Sequence, residues 1–259
     1  MEPLVSKVSR SFNKEIDWER VLSDKIKLLE CFSTEPVCFV RAADAEMYIL
    51  GKRRLIHPER LSKNTSTSFI KKLAESLGKA DLVGLPNNYT SLNHIYGWDE
   101  KIITLCKKFN VEIDKSKVIS AFVLYYAPEI LAELLNNKKV LWINFEAHKF
   151  VDLMKDKDFC QYYGFRNIES QWINIPDGKG GWMFSSTMDK VVDDVIKAIP
   201  PDFDIAVIGA GAMANLIAIY IKEKYKKSSI DAGAVLSAMR GQKNRGSFRR
   251  EGKHTYLVW

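Results

Sequence analysis

Asp204-Ile-Ala-Val-Ile-Gly-Ala-Gly-Ala-Met-Ala214 is the stretch of sequence that decides the fold class. Its first five residues, Asp204–Ile208, have the composition of a buried strand, and the pattern Gly209-x-Gly211-x-x-Ala214 leads into a helix. The glycines permit a tight turn, and the helix N-terminus offers backbone amides to a phosphate group. The stretch predicts an α/β fold with a nucleotide-binding turn. A glycine turn that serves only close packing is the alternative.

Short β-branched runs alternate with helical patterns on both sides of this stretch. The predicted strands are Val37–Arg41, Asp81–Pro86, Lys117–Val123, Lys139–Phe145, Ile168–Ile175, Asp204–Ile208 and Ser229–Asp231. The predicted helices are Ser11–Phe32, a helix beginning at Asp44, Thr65–Leu77, Asp99–Phe109 with Asp99 as N-cap, Pro128–Leu135, Ala147–Met154, Ser186–Ile199 and Ala212–Lys226. This alternation predicts a single Rossmann-like α/β domain over residues 36–259, with a mainly parallel sheet covered by helices. Residues 1–35 are expected to form an N-terminal helical extension.

The segments that follow the predicted strands are the candidate ligand-binding segments, because ligands of open α/β sheets bind at the carboxyl ends of the strands. We expect these segments to cluster. They are Arg41–Glu46, Asn87–Tyr89, Glu146–His148, Asp177–Gly181, Gly209–Gly211 and Asp231–Gly233. Asp231 lies 22 residues after Gly209 at the end of the next strand, where a dinucleotide-binding fold places its ribose-binding acid.

Asp44-Ala45-Glu46 places two carboxylates at i and i+2 where the first strand hands over to a helix. In extended backbone, i and i+2 project to the same side, so both carboxylates could approach one divalent cation that carries a phosphate. Arg41 could hold a phosphate with its guanidinium fork. The alternative is a solvated first helical turn, in which acids are favoured by the helix dipole.

The composition excludes several classes of protein. The 259 residues include 39 Lys+Arg and 32 Asp+Glu, a net charge of +7, and 46% are hydrophobic, as in globular proteins. Residues 240–259 carry +5 of this charge, so a uniformly basic surface that coats nucleic acid is disfavoured. The four cysteines form no C-x-x-C pair, and no apolar segment suits a signal peptide or membrane span. We therefore expect a cytoplasmic protein.

Three segments of the chain resemble the GT-D type glycosyltransferases. Val40–Glu46 is similar to that family's R-x-G-D-G-E entrance, with Ala43 and Ala45 in place of the two glycines. Ile205–Ala214 is similar to the family's C-terminal glycine turn. Ile230–Leu236, followed by Gly241 and a basic stretch, is similar to its I-D-x-G segment and G-x-x-G-x-R ending, with Ala234 where a histidine often stands.

The resemblance implies transfer of a sugar from a nucleotide diphosphate donor, with UDP the expected nucleotide, to a hydroxyl of a glycan. It implies a divalent metal, Mn or Mg, held by Asp44 and Glu46, and a glycan, glycoprotein or lipid-linked acceptor. The expected donor-binding residues are Arg41, Asn87, Asn88, Gly209, Gly211, Asp231, Gly233 and Arg245, and the candidates for deprotonating the acceptor are Glu146 and His148. Contact of the basic C-terminal segment with a membrane surface, at the inner face of the membrane, is a further expectation.

Two other functions fit parts of the sequence. A nicotinamide-dependent (NAD(P)) oxidoreductase could use the Gly209–Ala214 turn, although the 28 residues after Asp231 are too few to complete a six-stranded dinucleotide-binding domain. A noncatalytic nucleotide or nucleic-acid binder could work through the basic C-terminus. Trp98, Trp172, Trp182 and Tyr89 lie in or near predicted loops, where one of them could stack on a sugar or uracil ring.

Overall fold

The computed structural model describes residues 17–34, 36–51, 66–86, 89, 97–176, 188–240, 248–251 and 254–257. Its strands are β1 Cys38–Arg41, β2 Leu82–Leu85, β3 Val118–Ser120, β4 Lys139–Asn144, β5 Glu169–Asn174, β6 Ile205–Gly209, β7 Ser228–Asp231, β8 Phe248–Glu251 and β9 His254–Leu257. The first seven form one sheet in the order β3-β2-β1-β7-β6-β4-β5, and every pairing within it is parallel. The predicted α/β class and parallel sheet are confirmed.

Helices connect the strands. They are α1 Trp18–Thr34, α2 Asp44–Leu50, α3 Thr67–Lys79, α4 Trp98–Lys107, α5 Val123–Tyr126, α6 Glu129–Leu135, α7 Lys149–Leu153, α8 Lys157–Tyr163, α9 Met188–Ala198, α10 Met213–Tyr220 and α11 Ala234–Met239. Their apolar stripes decide these positions. In α3, for example, Phe69, Ile70, Leu73 and Leu77 recur at helical spacing and are all buried, and the Ser66 hydroxyl caps the helix by accepting the Phe69 amide at 2.9 Å.

The strand order assigns each helix to a face of the sheet, because crossovers between parallel strands are right-handed. From β1 the chain steps outward to β2 and β3, crosses to β4 and β5, and returns through β6 to β7 beside β1. Helices α2, α3, α4, α9 and α10 therefore pack on one face, the front, and α1, α5, α6, α7, α8 and α11 pack on the other, the back. Each face has its own hydrophobic core.

The back core includes both an aromatic stack and a buried polar link. Trp142 of β4 is fully buried and stacks on Phe150 of α7, with ring centroids 4.4 Å apart. Burial of each such side chain stabilises the fold by roughly 1.5–3 kcal/mol. Asp24 of α1 accepts hydrogen bonds from the Tyr89 hydroxyl at 2.6 Å and the Ser120 amide at 2.9 Å. This link joins α1 to the ends of β2 and β3. The boundary of an N-terminal extension stays a prediction.

Several element boundaries differ from the predictions. Gly97, with φ +76°, is the N-cap of α4, so the prediction that Asp99 caps this helix is wrong. The third strand ends at Ser120, because the chain turns at Phe122 into α5. The predicted helix to Lys226 closes with a π-helical turn after Tyr220. Helix α8, capped by Asp156, and the antiparallel hairpin β8–β9 were not predicted.

Within the described ranges, no helix is both long enough and apolar enough to cross a membrane.

Candidate functional site

The carboxyl ends of β1, β7, β6 and β4 form the candidate site, and these four strands are neighbours in the sheet. The helices that follow them alternate between the two faces: α2 front, α11 back, α10 front and α7 back. Helices that leave adjacent strands in opposite directions open a crevice between the strand ends, and ligands bind there in open α/β sheets. We call this row of strand ends the carboxyl edge. The predicted clustering of Arg41, Glu46, Glu146, Gly209 and Asp231 along it is observed.

Arg41 at the end of β1 and Asp231 at the end of β7 form a buried ion pair. Arg41 Nε lies 3.4 Å from Asp231 Oδ2, and the two side chains are 14% and 7% exposed. Arg41 Nη1 donates to the Ala121 carbonyl at 3.1 Å, and its guanidinium carbon lies 5.8 Å from the centre of the Tyr125 ring. Burial raises the pKa of Asp231, and attraction to Arg41 offsets this only in part. The arginine is therefore held among the ends of β1, β3 and β7.

Gly233 lies against this arginine. Its φ is +49°, its amide donates to Asp231 Oδ1 at 2.9 Å, and a Cβ at this position would overlap the Arg41 guanidinium. Both carboxylate oxygens of Asp231 therefore have partners inside the protein. A glycine is required here by the packing of Arg41, whereas the sequence suggested approach of a ligand.

Gly209 at the end of β6 is also required by a protein contact. A Cβ there would collide with the Asn144 side-chain nitrogen and would lie 3.0 Å from Leu236 Cδ1. Asn144 Nδ2 donates to the Gly209 carbonyl at 2.7 Å, and its Oδ1 is buried without a hydrogen-bond partner. Asn144, which sequence reasoning missed, thus joins β4 to β6 across the carboxyl edge. The sequence signal for Asn144 is a polar residue at the end of an otherwise apolar strand.

Gly211 differs from these two glycines because it is exposed to solvent, with φ +54°. It immediately precedes the first turn of α10, and its carbonyl accepts the Ala214 amide at 2.8 Å. Asn215 in that turn donates to the Arg41 carbonyl at 2.9 Å, and its Oδ1 is buried without a hydrogen-bond partner. The glycine turn is therefore bonded directly to the segment that leads into Asp44, although 174 residues separate the two bonded residues.

The acidic pair lies on helical backbone. Helix α2 begins at Asp44, and Glu46 Oε2 accepts the Ala43 amide at 2.8 Å, so Glu46 caps the helix from its third position. Residues i and i+2 do not face each other on a helix, so the extended geometry that placed both carboxylates on one side is wrong. Glu46 is buried, and the structure describes Asp44 by its backbone only.

Metal binding by this pair is compatible with the Glu46 contact. In the part of the chain that the structure describes, no group of three or more His, Cys, Asp and Glu side chains is arranged to hold a metal ion. A cation that carries a diphosphate takes only one or two protein carboxylates. A carboxylate offers about four lone-pair sites, so the bond to Ala43 does not by itself prevent Glu46 from binding one.

Glu146, after β4, is held by two cations. Its Oε2 accepts from Arg240 Nη1 at 2.6 Å and its Oε1 accepts from Lys149 Nζ at 2.5 Å. The bond from Lys149 lowers the pKa of Glu146, and the charge of Arg240 lowers it further. A carboxylate whose pKa is lowered is a weaker base. Arg240 is 1% exposed, so this arginine belongs to the folded body and is not part of a solvated basic tail.

His148 lies at the start of α7 and is exposed. Its amide donates to Asn174 Oδ1 at 3.2 Å, and its Nδ1 lies 3.0 Å from Asn174 Nδ2. The imidazole stands edge-on to the Trp172 ring, with centroids 6.0 Å apart. His148 is thus an accessible nitrogen base at the carboxyl edge.

Three predicted site residues, Asn87, Asn88 and Arg245, lie outside the described residues, as do the Asp177–Gly181 loop and Trp182. Tyr89 is described and is not a stacking platform, because it is 2% exposed and bonded to Asp24.

The sequence matches the model of the GT-D-like family, a GT-D fold-like domain, over residues 21–239. A new glycosyltransferase from Streptococcus sanguinis, with the domain of unknown function 1792, has a similar structure: TM-score 0.56, 15% identity, 91% of this chain covered and 88% of that one. A further structure of that domain, described as a distinct glycosyltransferase fold, matches with TM-score 0.50, 16% identity and coverage of 90% and 84%. No curated protein matches the sequence.

Proposed function

The chain belongs to the GT-D-like family, and from this premise we propose that it moves a sugar from a nucleotide diphosphate donor, with UDP as the nucleotide, to a hydroxyl group of a glycan acceptor. It has a glycosyltransferase fold. A fold hosts many activities, so the proposal depends on the residues at the carboxyl edge.

The observation that carries the proposal is the bond from Asn215 to the Arg41 carbonyl, 2.9 Å long. It ties the start of α10, with its exposed Gly211 turn, to the segment that leads into Asp44 and Glu46. A diphosphate needs backbone amides on one side and a charge-neutralising group on the other. Here the two kinds of group are joined by one hydrogen bond, so a single diphosphate can contact both.

Donor binding is assigned to the Gly211 turn. Gly211 is exposed, and α10 is eight residues long before its π-helical turn, so its N-terminus presents amides and a positive dipole. Gly209 and Gly233 act indirectly, because each makes room for a side chain that fixes the crevice wall. Asp231 likewise positions Arg41 and Gly233, and we assign it no direct contact with the donor sugar.

Asp44 and Glu46 would hold the divalent metal, Mn or Mg, directly or through water, and the bound metal would neutralise charge on the departing diphosphate. Glu46 also caps α2 through Ala43, so the same side chain fixes the start of the helix that carries Asp44. Arg41, beneath this segment, supplies a further positive charge near Glu46, whose carboxylate is one of the groups that raise the pKa of Arg41.

His148 is the proposed base that takes the proton of the acceptor hydroxyl. It is exposed at the end of β4 and is oriented by Asn174, as a general base must be. Glu146 is the weaker candidate because its pKa is lowered, and its proposed role is to hold Arg240. The acceptor is a glycan, free or attached to a protein or lipid, and the reaction is placed in the cytoplasm, with the basic C-terminal segment contacting the inner membrane face.

The contacts at the carboxyl edge do not favour the alternatives. A nicotinamide-dependent oxidoreductase would use Asp231 for the ribose, but that carboxylate is buried in an ion pair with Arg41. A binder of nucleic acid through the C-terminus would lose one of its six basic residues, because the Arg240 side chain is buried against Glu146.

A thermal-shift screen tests the proposal, because a ligand that binds the folded state raises its apparent stability. We expect UDP-glucose, UDP-galactose or UDP-N-acetylglucosamine with Mn²⁺ to raise the melting temperature by about 5–10 °C at 100 times Kd. NAD and NADP should have no effect. Stabilisation by NAD or NADP without any response to the UDP-sugars would contradict the proposal.

Two double variants assign that response to the acidic pair. Asp44→Asn with Glu46→Gln should remove the Mn²⁺-dependent part of the shift, and glutamine preserves the capping bond to Ala43. Glu30→Gln with Glu112→Gln, at two exposed sites, is the matched control and should respond like the wild type.

A further inference from the structure

Trp172 is an exposed aromatic side chain whose register partner on the neighbouring strand is buried. It lies in β5, the last strand of the sheet, and its register partner in β4 is Trp142. Trp142 is fully buried on the back face, whereas Trp172, on the same face, is 49% exposed. Among the described residues, the other exposed large hydrophobic side chains are Leu22 and Ile26, both in α1. An indole exposed on a different element from the other exposed large hydrophobic side chains of the described residues suits a small ligand better than a protein partner.

Two polar side chains complete a corner around this ring. The imidazole of His148 meets the indole at 69°, with centroids 6.0 Å apart. Asn174, two residues along β5, places its side-chain amide 3.0–3.2 Å from His148 Nδ1. The corner therefore combines one apolar wall with uncharged donors and acceptors. The charges next to it, on Glu146, Lys149 and Arg240, are already paired with one another.

The corner lies in line with the glycine turn. Asn174 is in register with Asn144, and Asn144 is in register with Gly209. Adjacent strands are about 4.8 Å apart, so Asn174 lies roughly 10 Å from the end of β6 along the carboxyl edge. A group bound at the corner would therefore lie beside the donor crevice, and His148 follows β4, the strand between β5 and β6.

We infer that Trp172, Asn174 and His148 bind a pyranose ring of the acceptor, with the ring stacked on the indole and its hydroxyl groups bonded to the amide and the imidazole. A sugar presents C–H groups on one face and hydroxyls at its rim, which matches one aromatic wall and a neutral polar rim. The inference rests on the proposed glycosyltransferase function for the statement that this sugar is the acceptor. The binding of the sugar itself rests on the corner alone.

The test is a titration that does not depend on turnover. The protein is labelled with 5-fluorotryptophan, and the Trp172 resonance is assigned by its loss in Trp172→Phe. Methyl β-glucoside, methyl β-galactoside and methyl N-acetyl-β-glucosaminide are then added in turn. We expect at least one of them to move the Trp172 resonance saturably and to leave the resonances of the tryptophans outside the corner in place. An unmoved Trp172 resonance with all three would overturn the inference.

Affinity measured by saturation-transfer NMR identifies the contribution of the ring. Trp172→Ala should weaken binding of the same glycoside about tenfold, and Trp172→Phe should keep most of it, because a stacked ring is worth about a factor of ten. Leu22→Ala removes an equally exposed apolar side chain from α1 and should bind like the wild type. Equal affinity in Trp172→Ala and wild type would overturn the inference.

The wild-type screen with UDP-sugars distinguishes failure of the proposed function from failure of the inferred sugar site. Response to a UDP-sugar without any glycoside at Trp172 keeps the proposed function and overturns the inference. A saturable shift at Trp172 in a protein that binds no UDP-sugar supports the saccharide site and overturns its role in transfer.

Discussion

The two ends of α11 are each held by a buried arginine, but the charges around the two arginines are balanced differently. At the first end, burial lowers the pKa of Arg41, yet attraction to the carboxylates of Asp231 and Glu46 outweighs burial and the pKa is raised. At the other end, burial lowers the pKa of Arg240, and its pairing with Glu146 does not offset the loss. The first pair is enclosed, whereas the Glu146 side chain is one-third exposed.

Two buried arginines, each paired with a carboxylate, can therefore contribute differently to the stability of the fold. Asp231 is enclosed and depends on Arg41 for its counter-charge, so this pair supports the carboxyl edge where β1 and β7 meet. Glu146 is one-third exposed and can be hydrated, so its pair with Arg240 fixes position at little net gain in stability. The Arg41 end of α11 should therefore be the rigid one.

Gly233→Ala should have the largest effect, because it attacks the rigid end. The new Cβ would overlap the Arg41 guanidinium at a positive φ, so the arginine must leave Asp231. We expect a loss of about 4 kcal/mol or more in the free energy of unfolding, measured by urea denaturation. Gly97→Ala, at φ +76° with open space around its Cβ, is the control and should lose only about 1–2 kcal/mol. Equal losses of unfolding free energy in Gly233→Ala and Gly97→Ala would contradict this expectation, because they would show that the Arg41 side chain can move aside freely.

Arg41→Met should lower the free energy of unfolding by about 3–5 kcal/mol, because it leaves the buried Asp231 carboxylate without its cation. Methionine keeps most of the apolar stem, so lost packing contributes little. Urea denaturation at neutral pH measures the change. Arg166→Met, at an exposed site, should change stability by less than about 0.5 kcal/mol. A loss at Arg41 as small as at Arg166 would contradict the distinction between the two ends of α11.

Arg240→Met should cost about 1 kcal/mol or less, although this side chain is as deeply buried as any core residue. The methionine avoids the desolvation of a guanidinium, and Glu146, being one-third exposed, can be hydrated. The same denaturation experiment makes this the matched counterpart of Arg41→Met. A loss of 3 kcal/mol or more would mean that the two arginines are equivalent.

The pH dependence of stability should show the smallest effect. The folded-state pKa of Glu146 is lowered, so its ion pairs stabilise the protein above the ordinary glutamate pKa of about 4.3, and this contribution is lost as the pH falls through the folded value. Glu146→Gln should therefore be less stable than wild type at pH 7, by about 0.5–1 kcal/mol, and the difference should vanish in acid. Glu30→Gln, at an exposed site, is the control measured over the same range.

Much of this fold follows from local sequence. Apolar periodicity located the seven strands of the parallel sheet and most helices, and the glycine turn after β6 marked a strand–turn–helix unit, because these signals depend on neighbours within one element. Helix α8 was missed because its apolar pattern is short, although Asp156 and Gly164 are a good cap at each end.

The roles of individual site residues could not be predicted, because they depend on contacts between residues far apart in the sequence. Gly233 is fixed by Arg41, 192 positions earlier, and Gly209 by Asn144 of another strand. The Asp44–Glu46 geometry depends on where α2 begins, and the capping bond from Ala43 to Glu46 decides that. Sequence patterns identified the edge where the site lies, whereas the tertiary contacts distinguish supporting residues from those available to a ligand.

Turnover of a UDP-sugar is the most direct test of the proposed transferase activity and of the role of Asp44 and Glu46 in it. UDP released by hydrolysis of UDP-glucose, UDP-galactose or UDP-N-acetylglucosamine, with water taking the sugar, is measured with Mn²⁺ for the wild type and for Asp44→Asn with Glu46→Gln. We expect Mn²⁺-dependent release of UDP by the wild type. The rate of release should be at least about a hundredfold lower in the double variant, and its melting temperature should change little. Release at the wild-type rate by a folded double variant, or no release from any of the donors by the wild type, would contradict these expectations.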